Sequence, residues 1–127
     1  MFGQTEAITV DMVRLALDAA SLRHQAIANN IANVNTPGYA PASVNFEHQM
    51  NVVRAALNQG DDIQPGMLNG IRPLIERAAP VGDADRTALL DTEVANLAQN
   101  TVQYEALLKA LGKHMSILGS AISEGKR

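Results

Sequence analysis

The C-terminal third of the chain carries a long and regular hydrophobic pattern. Its apolar positions alternate in steps of four and three residues, which is the spacing of a stripe along one face of an α-helix. The stripe consists of Leu90, Val94, Leu97, Thr101, Tyr104, Leu108, Leu111, Met115, Leu118 and Ile122. A helix from about residue 91 to 123 would be roughly 50 Å long, which a chain of 127 residues cannot cover by itself.

Polar residues set the expected ends and charges of this C-terminal helix. Asp91 or Thr92 is suited to cap its start, and Glu93 falls in its first turn, where a negative charge complements the helix dipole. Glu105 and Lys109 stand at the i,i+4 spacing that favours an ion pair on a helix surface.

The N-terminal segment carries two neighbouring apolar rows. The first row consists of Ile8, Met12, Leu15, Ala19, Leu22 and Ala26. The second row consists of Val13, Leu17, Ala20, Ile27, Ile31 and Val34. Both rows have helical spacing, and a helix with two adjacent apolar rows needs neighbours on both sides.

A tight turn is predicted to end the N-terminal helix near residues 33 to 35. Thr36, Pro37, Gly38 and Tyr39 follow, and proline disfavours helix in the residue before it. Pro-Gly also fits the centre of a type II turn, because the second central residue of that turn has a positive φ. The chain is therefore expected to change direction at this point.

The middle of the chain has weaker periodicity. Residues 43 to 58 are compatible with a short helix, with Val44, Phe46, Met50 and Val53 partly on one face. Prolines and glycines are dense between Gly60 and Asp85, which predicts a loop with a short extended segment. A loop of that length is expected to be an interaction or linker segment.

These patterns predict an all-α fold in three parts. Residues 1–35 form an N-terminal helix, residues 36–88 form a turn, a short helix and an irregular interaction segment, and residues 89–127 form a C-terminal helix. We expect the two long helices to pair as an antiparallel coiled coil, with apolar surface left over for neighbouring subunits.

Composition and charge narrow the function classes. Aromatic residues make up only 3% of the chain, whereas enzymes usually depend on aromatic side chains for core area and pocket walls. The net charge of -3 is spread without a basic patch, so no nucleic-acid partner is expected. Cysteine is absent, which excludes disulfides, thiol catalysis and cysteine-ligated metals. We expect no catalytic, metal or cofactor site and no small-molecule substrate.

The remaining polar residues give no sign of catalysis. His24, His48 and His114 fall on three separate predicted segments, and the serines lack the glycine context of a nucleophile elbow. Glu6 and Asp11 interrupt the stretch where a cleavable signal peptide would need an apolar core, so none is expected. No uncharged apolar run approaches the ~20 residues that span a bilayer.

An asparagine-rich run precedes the predicted turn. Four asparagines lie between Asn29 and Asn35, although asparagine is a poor helix former. One interpretation is that they simply terminate the helix. The other is that their amides bond to neighbouring helices and fix the register of an apolar interface.

The run from Ala28 to Tyr39, ANNIANVNTPGY, resembles the N-terminal signature of the flagellar rod and hook protein family. Val44-Asn45-Phe46 is similar to a short downstream segment of that family, with Asn45 where aspartate is usual. Leu97-Ala98-Gln99-Asn100 followed by Tyr104 is similar to the proximal rod subtype. The resemblance covers both ends of the chain and barely touches residues 60 to 85.

The resemblance implies a structural subunit of the bacterial flagellar basal-body rod. It would be exported by the flagellar type III apparatus without a cleaved signal and polymerise in the periplasm. Its partners would be copies of itself, other rod proteins, the inner-membrane ring and the rod-base adaptor protein. A helical-hairpin adaptor or export chaperone that binds one protein partner is the alternative.

The expected subunit-interface residues combine the motif with the apolar stripes. They are Asn29, Asn30, Ile31, Asn33, Thr36, Pro37, Gly38, Tyr39, Phe46, Leu97, Asn100, Tyr104, Leu108, Leu111, Met115, Leu118 and Ile122.

Overall fold

Two long helices dominate the structure, a computed structural model that describes residues 2–60 and 65–125. The elements are α1 (Phe2–Ala32), β1 (Ala42–Asn45), α2 (Glu47–Asn58), β2 (Leu74–Arg77) and α3 (Arg86–Gly125), with short 3-10 turns at Pro65–Met67 and Asp83–Asp85. At 1.5 Å per residue, the 40 residues of α3 extend for about 60 Å.

Helices α1 and α3 pack against each other in antiparallel orientation, which confirms the predicted pairing of the two ends of the chain. Asn30, near the end of α1, hydrogen-bonds to Glu93, near the start of α3. Ten residues earlier in α1, the carbonyl of Ala20 accepts a hydrogen bond from Asn100, farther along α3. The two chain directions are therefore opposed.

The predicted turn after α1 is confirmed. The N–H of Tyr39 donates to the carbonyl of Thr36 at 3.2 Å, which closes a four-residue turn around Pro37 and Gly38. Gly38 has a φ of 74°, close to the value that a type II turn requires at this position. A residue with a Cβ atom adopts this conformation only at a cost.

The prediction of a single helix over residues 43 to 58 is wrong at its start, because residues 42 to 45 form a strand. β1 pairs antiparallel with β2, with Val44 opposite Ile75. The side chains of Ala42 and Val44 are buried and that of Ser43 is exposed, which is the alternation of a half-buried strand. The mainly helical fold thus includes one small sheet, and β2 is the extended segment expected between residues 60 and 85.

The first row of α1 packs against the middle segment. Ala19 joins the buried side chains of Phe46, Val53, Leu68 and Ile71 in one cluster. Ile8, Met12, Leu15, Ala16 and Met50 are partly buried against this cluster. Farther along α1, Leu22 and Ala26 pack against Ala42 and Val44 of β1.

The second row of α1 faces α3. Ala20, which accepts the hydrogen bond from Asn100, belongs to this row, as does the buried Ile27. Helix α1 therefore has neighbours on both sides, as its two apolar rows predicted. Both sets of neighbours belong to the same chain, so α1 has little apolar surface left over.

The predicted start of α3 is wrong by one and a half turns. The helix begins at Arg86, directly after the 3-10 turn of Asp83–Asp85, and Arg86 forms an ion pair with Asp83 at 2.8 Å. Thr92 does not cap the helix, since its hydroxyl donates to the carbonyl of Ala88 within α3. Glu93 lies in the helix interior and is buried.

We predict that Val53→Ala lowers the free energy of unfolding by about 2 kcal/mol, because it removes buried apolar volume from the cluster around Phe46. Val53 is 1% exposed, whereas its neighbour Val52 is 61% exposed. Urea unfolding followed by circular dichroism at one protein concentration measures the difference. Val52→Ala is the matched control and should stay within about 0.5 kcal/mol of the wild type; equal losses would contradict this core.

Candidate subunit interface

The side chain of Asn30 is the polar centre of the molecule and is only 1% exposed. Its Nδ2 donates to the carbonyl of Ala42 at 2.7 Å and to Oε2 of Glu93 at 3.1 Å. Its Oδ1 accepts from the N–H of Ala42 at 2.9 Å and from the hydroxyl of Tyr39 at 2.7 Å. Two donors and two acceptors are the full capacity of an amide, so Asn30 is saturated.

This arrangement ties three elements together at one point. By bonding both the N–H and the carbonyl of Ala42, the Asn30 amide pairs with β1 as a neighbouring strand would. The bond to Glu93 links the same amide to α3. A smaller or apolar side chain at this position would leave several buried polar groups without partners, which costs about 1–3 kcal/mol for each group.

Asn100 forms a second buried polar contact between the long helices. It is 3% exposed, and its Nδ2 donates to the carbonyl of Ala20 at 2.8 Å. Its Oδ1 is buried and has no hydrogen-bond partner among the described residues. One amide bonded across an apolar seam favours a single register of the two helices, because sliding would break the bond.

The other motif residues lie at the surface around the turn. Asn33 donates its side-chain amide to the carbonyl of Asn29 at 2.9 Å and accepts from the hydroxyl of Thr36 at 3.2 Å. Asn29 and Thr36 are exposed, as are Pro37 and Gly38. Both interpretations of the asparagine run therefore apply to different residues: Asn33 helps to end α1, whereas Asn30 bonds to neighbouring elements of its own chain.

The apolar stripe of α3 divides into two rows with different environments. The inner row of Leu90, Leu97, Leu111 and Leu118 is half-buried on the side of α1. The outer row consists of Val94, Thr101, Leu108, Met115 and Ile122, spaced seven residues apart and exposed along its whole length. Tyr104 has the spacing of the inner row but is 37% exposed.

Apart from Thr101, the outer row is apolar. Leu108 and Met115 are 46% and 45% exposed, and Val94 and Ile122 are 52% and 61% exposed. Thr101 donates its hydroxyl to the carbonyl of Leu97 at 2.9 Å, so its polar atom is already bonded within the helix. A row with this period has the spacing of a surface that packs against another helix.

The predicted interface residues thus occupy two different environments. Asn30, Phe46 and Asn100 are buried inside the chain, and Ile31, Asn33, Tyr39, Leu97, Leu111 and Leu118 are half-buried. The exposed members are Asn29, Thr36, Pro37, Gly38, Tyr104, Leu108, Met115 and Ile122. This second group is exposed at the surface of the free chain, where a neighbouring molecule can reach it.

Two residues of this architecture escaped the sequence analysis. Glu93 was expected at an exposed first turn, yet it is 8% exposed and bonded to Asn30. Its distance of seven residues from Asn100 places both polar side chains on one helix face, and that spacing was available in the sequence. Arg23 was missed because its partner Glu47 is distant in sequence.

Arg23 fastens α1 to the start of α2. Its guanidinium donates to Oε1 of Glu47 at 2.6 Å and to the carbonyl of Val44 at 3.1 Å. Burial raises the pKa of the Glu47 carboxyl, but backbone hydrogen bonds from Glu47 and Phe46 and the charge of Arg23 outweigh it. The pKa therefore lies below the ordinary value of 4.5.

Within residues 2–60 and 65–125, no group of three or more histidine, cysteine, aspartate or glutamate side chains is placed to hold a metal ion. No helix of the described chain has the length and apolar character that crossing a membrane requires. The geometry that stands out is the long exposed row on α3. A helix pair with such a row is typical of structural subunits that assemble through helix packing.

Comparisons with known proteins indicate which kind of structural subunit the chain resembles. Residues 14–39 match the family model described as flagella basal body rod protein. The chain is similar to this family of flagellar basal-body rod proteins, which is structural and not enzymatic. It is a structural subunit of the basal-body rod.

The relatives match along nearly the whole chain. The chain is 28% identical to the flagellar basal body rod protein FlgB of Borrelia hermsii, over 91% of this chain and 96% of that protein. It is 24% identical to FlgB of Bacillus subtilis (strain 168), over 93% and 95%. It is 25% identical to FlgB of Yersinia enterocolitica, over 87% and 90%.

We predict that Asn30→Asp lowers the free energy of unfolding by about 2–4 kcal/mol at neutral pH. A carboxylate cannot donate to Ala42 or Glu93, and it adds a second negative charge next to Glu93. The deficit should shrink on acidification, because protonation of the new carboxyl removes that repulsion. Urea unfolding at two pH values measures it, with the exposed Asn29→Asp as control; an equal, small effect of both changes would contradict the role of Asn30.

We predict that Glu47 makes stability depend on pH in the acidic range. Because its pKa is lowered in the folded chain, its contribution is present above about pH 4.5 and is lost as the pH falls through the lowered value. Glu47→Gln should therefore show a smaller loss of stability than the wild type between about pH 6 and about pH 3. Parallel curves of urea midpoint against pH would contradict this assignment.

Proposed function

We propose that this subunit polymerises into the proximal part of the rod and that the outer row of α3 packs against helices of neighbouring subunits. The rod would serve as a drive shaft that carries motor torque to the hook and filament. The observation that carries the proposal is the outer row itself, which runs along most of α3 with its apolar side chains uncovered by the rest of the chain.

The energetics favour burial of this row. Four of its five side chains are large and apolar, and each is roughly half exposed. Fully burying such a side chain stabilises by about 1.5–3 kcal/mol, so covering the exposed halves contributes several kcal/mol to association. Covering one α3 with another long helix achieves this without leaving backbone groups unpaired.

The exposed motif residues extend the proposed interface beyond the outer row. Asn29, Thr36, Pro37 and Gly38 surround the turn at the end of α1, and all four are exposed there. The buried members of the predicted set have a supporting role, since Asn30, Phe46 and Asn100 hold the elements in place. The chain divides into three parts, residues 1–35, 36–88 and 89–127. In this proposal, the long helices of the first and third parts pack side by side to form the wall of the rod.

The middle segment, residues 36–88, is proposed to contact neighbours laterally or along the rod axis. Its strand β2 is exposed over all four residues, and Leu74 and Ile75 point to opposite faces of the sheet while both remain more than half exposed. Exposed apolar side chains on both faces of a short edge strand favour a contact with another subunit.

The proposed partners are copies of this chain, other rod proteins, the inner-membrane ring and the rod-base adaptor protein. We further propose that the flagellar type III apparatus exports the chain into the periplasm without cleaving a signal peptide. The resemblance of the Asn29–Tyr39 region to the axial family supports these assignments. The alternative of a one-partner adaptor or chaperone fits less well, because the similarity to rod subunits extends over about nine-tenths of the chain.

Stiffness follows from the same contacts. Close-packed apolar side chains along a helix are nearly incompressible, so a bundle of such helices resists twisting along its length. In this proposal, torque is transmitted by packing and requires no chemical step.

We predict that Leu108→Asp abolishes incorporation into the rod and therefore swimming, while the purified chain keeps its helical circular dichroism spectrum. A charge in the outer row is tolerated in the free subunit but is expensive to bury. Leu111→Asp should also abolish swimming, through loss of packing against α1, and should reduce helicity. Complementation of a strain lacking the subunit, with basal bodies isolated and probed for the chain, measures incorporation.

The control for this test is Asp83→Ala, which changes an exposed carboxylate outside the outer row and should leave swimming unchanged. Normal swimming with Leu108→Asp would refute the outer row as an assembly surface. Discrete one-to-one complexes in solution, with the chain absent from basal bodies, would instead support the adaptor alternative.

A further inference from the structure

An apolar groove lies on the opposite flank of the helix pair from the outer row. It has a volume of about 500 Å³ and runs between α1, α2 and the middle of α3. Ala16, Ala19 and Ala20 of α1 line it together with Met50 of α2 and Ala106 and Leu107 of α3. We propose that the outer row of a second copy of this chain seats in this groove, an arrangement that rests on the proposed function.

Helix geometry separates the two surfaces. Side chains on α3 turn by about 100° per residue, since 3.6 residues make one turn. Relative to Asn100, which faces α1, Thr101 points about 100° to one side and Ala106 about 120° to the other. The row and the groove therefore lie on opposite flanks of the α1–α3 pair.

Opposite placement has a consequence for assembly. A contact between two different surfaces of the same chain is heterologous, so each bound copy still offers a free row on one side and a free groove on the other. Such a contact repeats from copy to copy and produces a ring or a helical array. A contact between two outer rows would instead stop at a dimer.

The shapes of the two surfaces match. Alanine side chains from α1 and α3 form much of the groove, and small residues let a neighbouring helix approach closely. The outer row supplies longer side chains, Leu108 and Met115, that can fill the space between α2 and α3. Because the outer row repeats every seven residues, the surface that it packs against should itself be built from helices, as the groove is.

Charge is complementary at the edge of the groove. Arg54 lines the groove and forms no ion pair with any residue in the described part of the chain. Glu105, one turn before Leu108, likewise has no ion pair there, and the pair expected between Glu105 and Lys109 does not form. When Leu108 of one copy enters the groove of the next, Glu105 can reach Arg54 at its edge.

Cross-linking tests the contact directly, because the chain contains no cysteine. Leu108→Cys in a short-tagged chain and Asn51→Cys, at the groove, in a long-tagged chain are produced together in cells lacking the wild-type subunit. Both positions are exposed, so neither change disturbs the core. Isolated basal bodies are treated with a short bis-maleimide, and a dimer containing both tags is the expected product.

Matched controls define the specificity. Pairing Asn51→Cys with Gln99→Cys, which is exposed on the flank of α3 opposite the outer row, should give no dimer. Leu108→Cys alone should also give none, since two outer rows are not in contact. Arg54→Glu and Glu105→Lys should each lower the yield of the mixed dimer about threefold, as expected for a partly exposed ion pair, and the double change should restore it.

Two results overturn the inference while leaving the proposed function intact. One is the absence of the mixed dimer when both cysteine variants are present in basal bodies and support swimming, which would mean that another kind of subunit fills the groove. The other is cross-linking of Leu108→Cys to itself. Absence of the chain from basal bodies would instead overturn the proposed function and this inference together.

Discussion

The structure depends on a mismatch between the apolar surface of α3 and the surface available to cover it. Helix α3, which is about 60 Å long, carries two apolar rows side by side, and α1 covers only the inner one. The middle segment does not cover the outer row of α3, because Phe46, Val53 and their neighbours pack against α1. The chain therefore folds into a pair of helices in which one helix is enclosed by its own chain and the other is not. In the proposed assembly, further subunits cover the outer row.

Polar contacts give the helix pair a defined geometry that apolar packing alone would not specify. Asn30 reaches β1, Tyr39 and Glu93 from one position, so the strand, the turn and the start of α3 are placed by a single amide. Arg23 then connects the same helix to Glu47 at the start of α2. The family motif, seen in this light, is an internal joint with an exposed turn beside it, and the outer row of α3 is the part proposed to meet other molecules.

Much of this fold could be predicted from the sequence, and the failures have identifiable physical causes. The two helices and the turn at Gly38 follow from local periodicity and backbone preference, which the sequence displays directly. The strand Ala42–Asn45 was mistaken for helix because four residues are too few to show an alternating pattern, and its partner lies about 30 residues away. The stripe on α3 was recognised, but its division into a covered and an uncovered row was not. That division depends on which face α1 occupies, and tertiary packing alone determines this.

The two buried amide contacts have a further effect on how the helix pair responds to load. Asn30–Glu93 and Asn100–Ala20 lie ten residues apart along α1, a separation of about 15 Å. Apolar side chains alone would let one helix slip past the other by a turn and find similar contacts again. Two fixed points at different heights prevent that slippage, because no single shift restores both bonds. Shear between the paired helices is thus opposed inside each subunit, so we expect an assembled shaft to deform first at the boundaries between subunits.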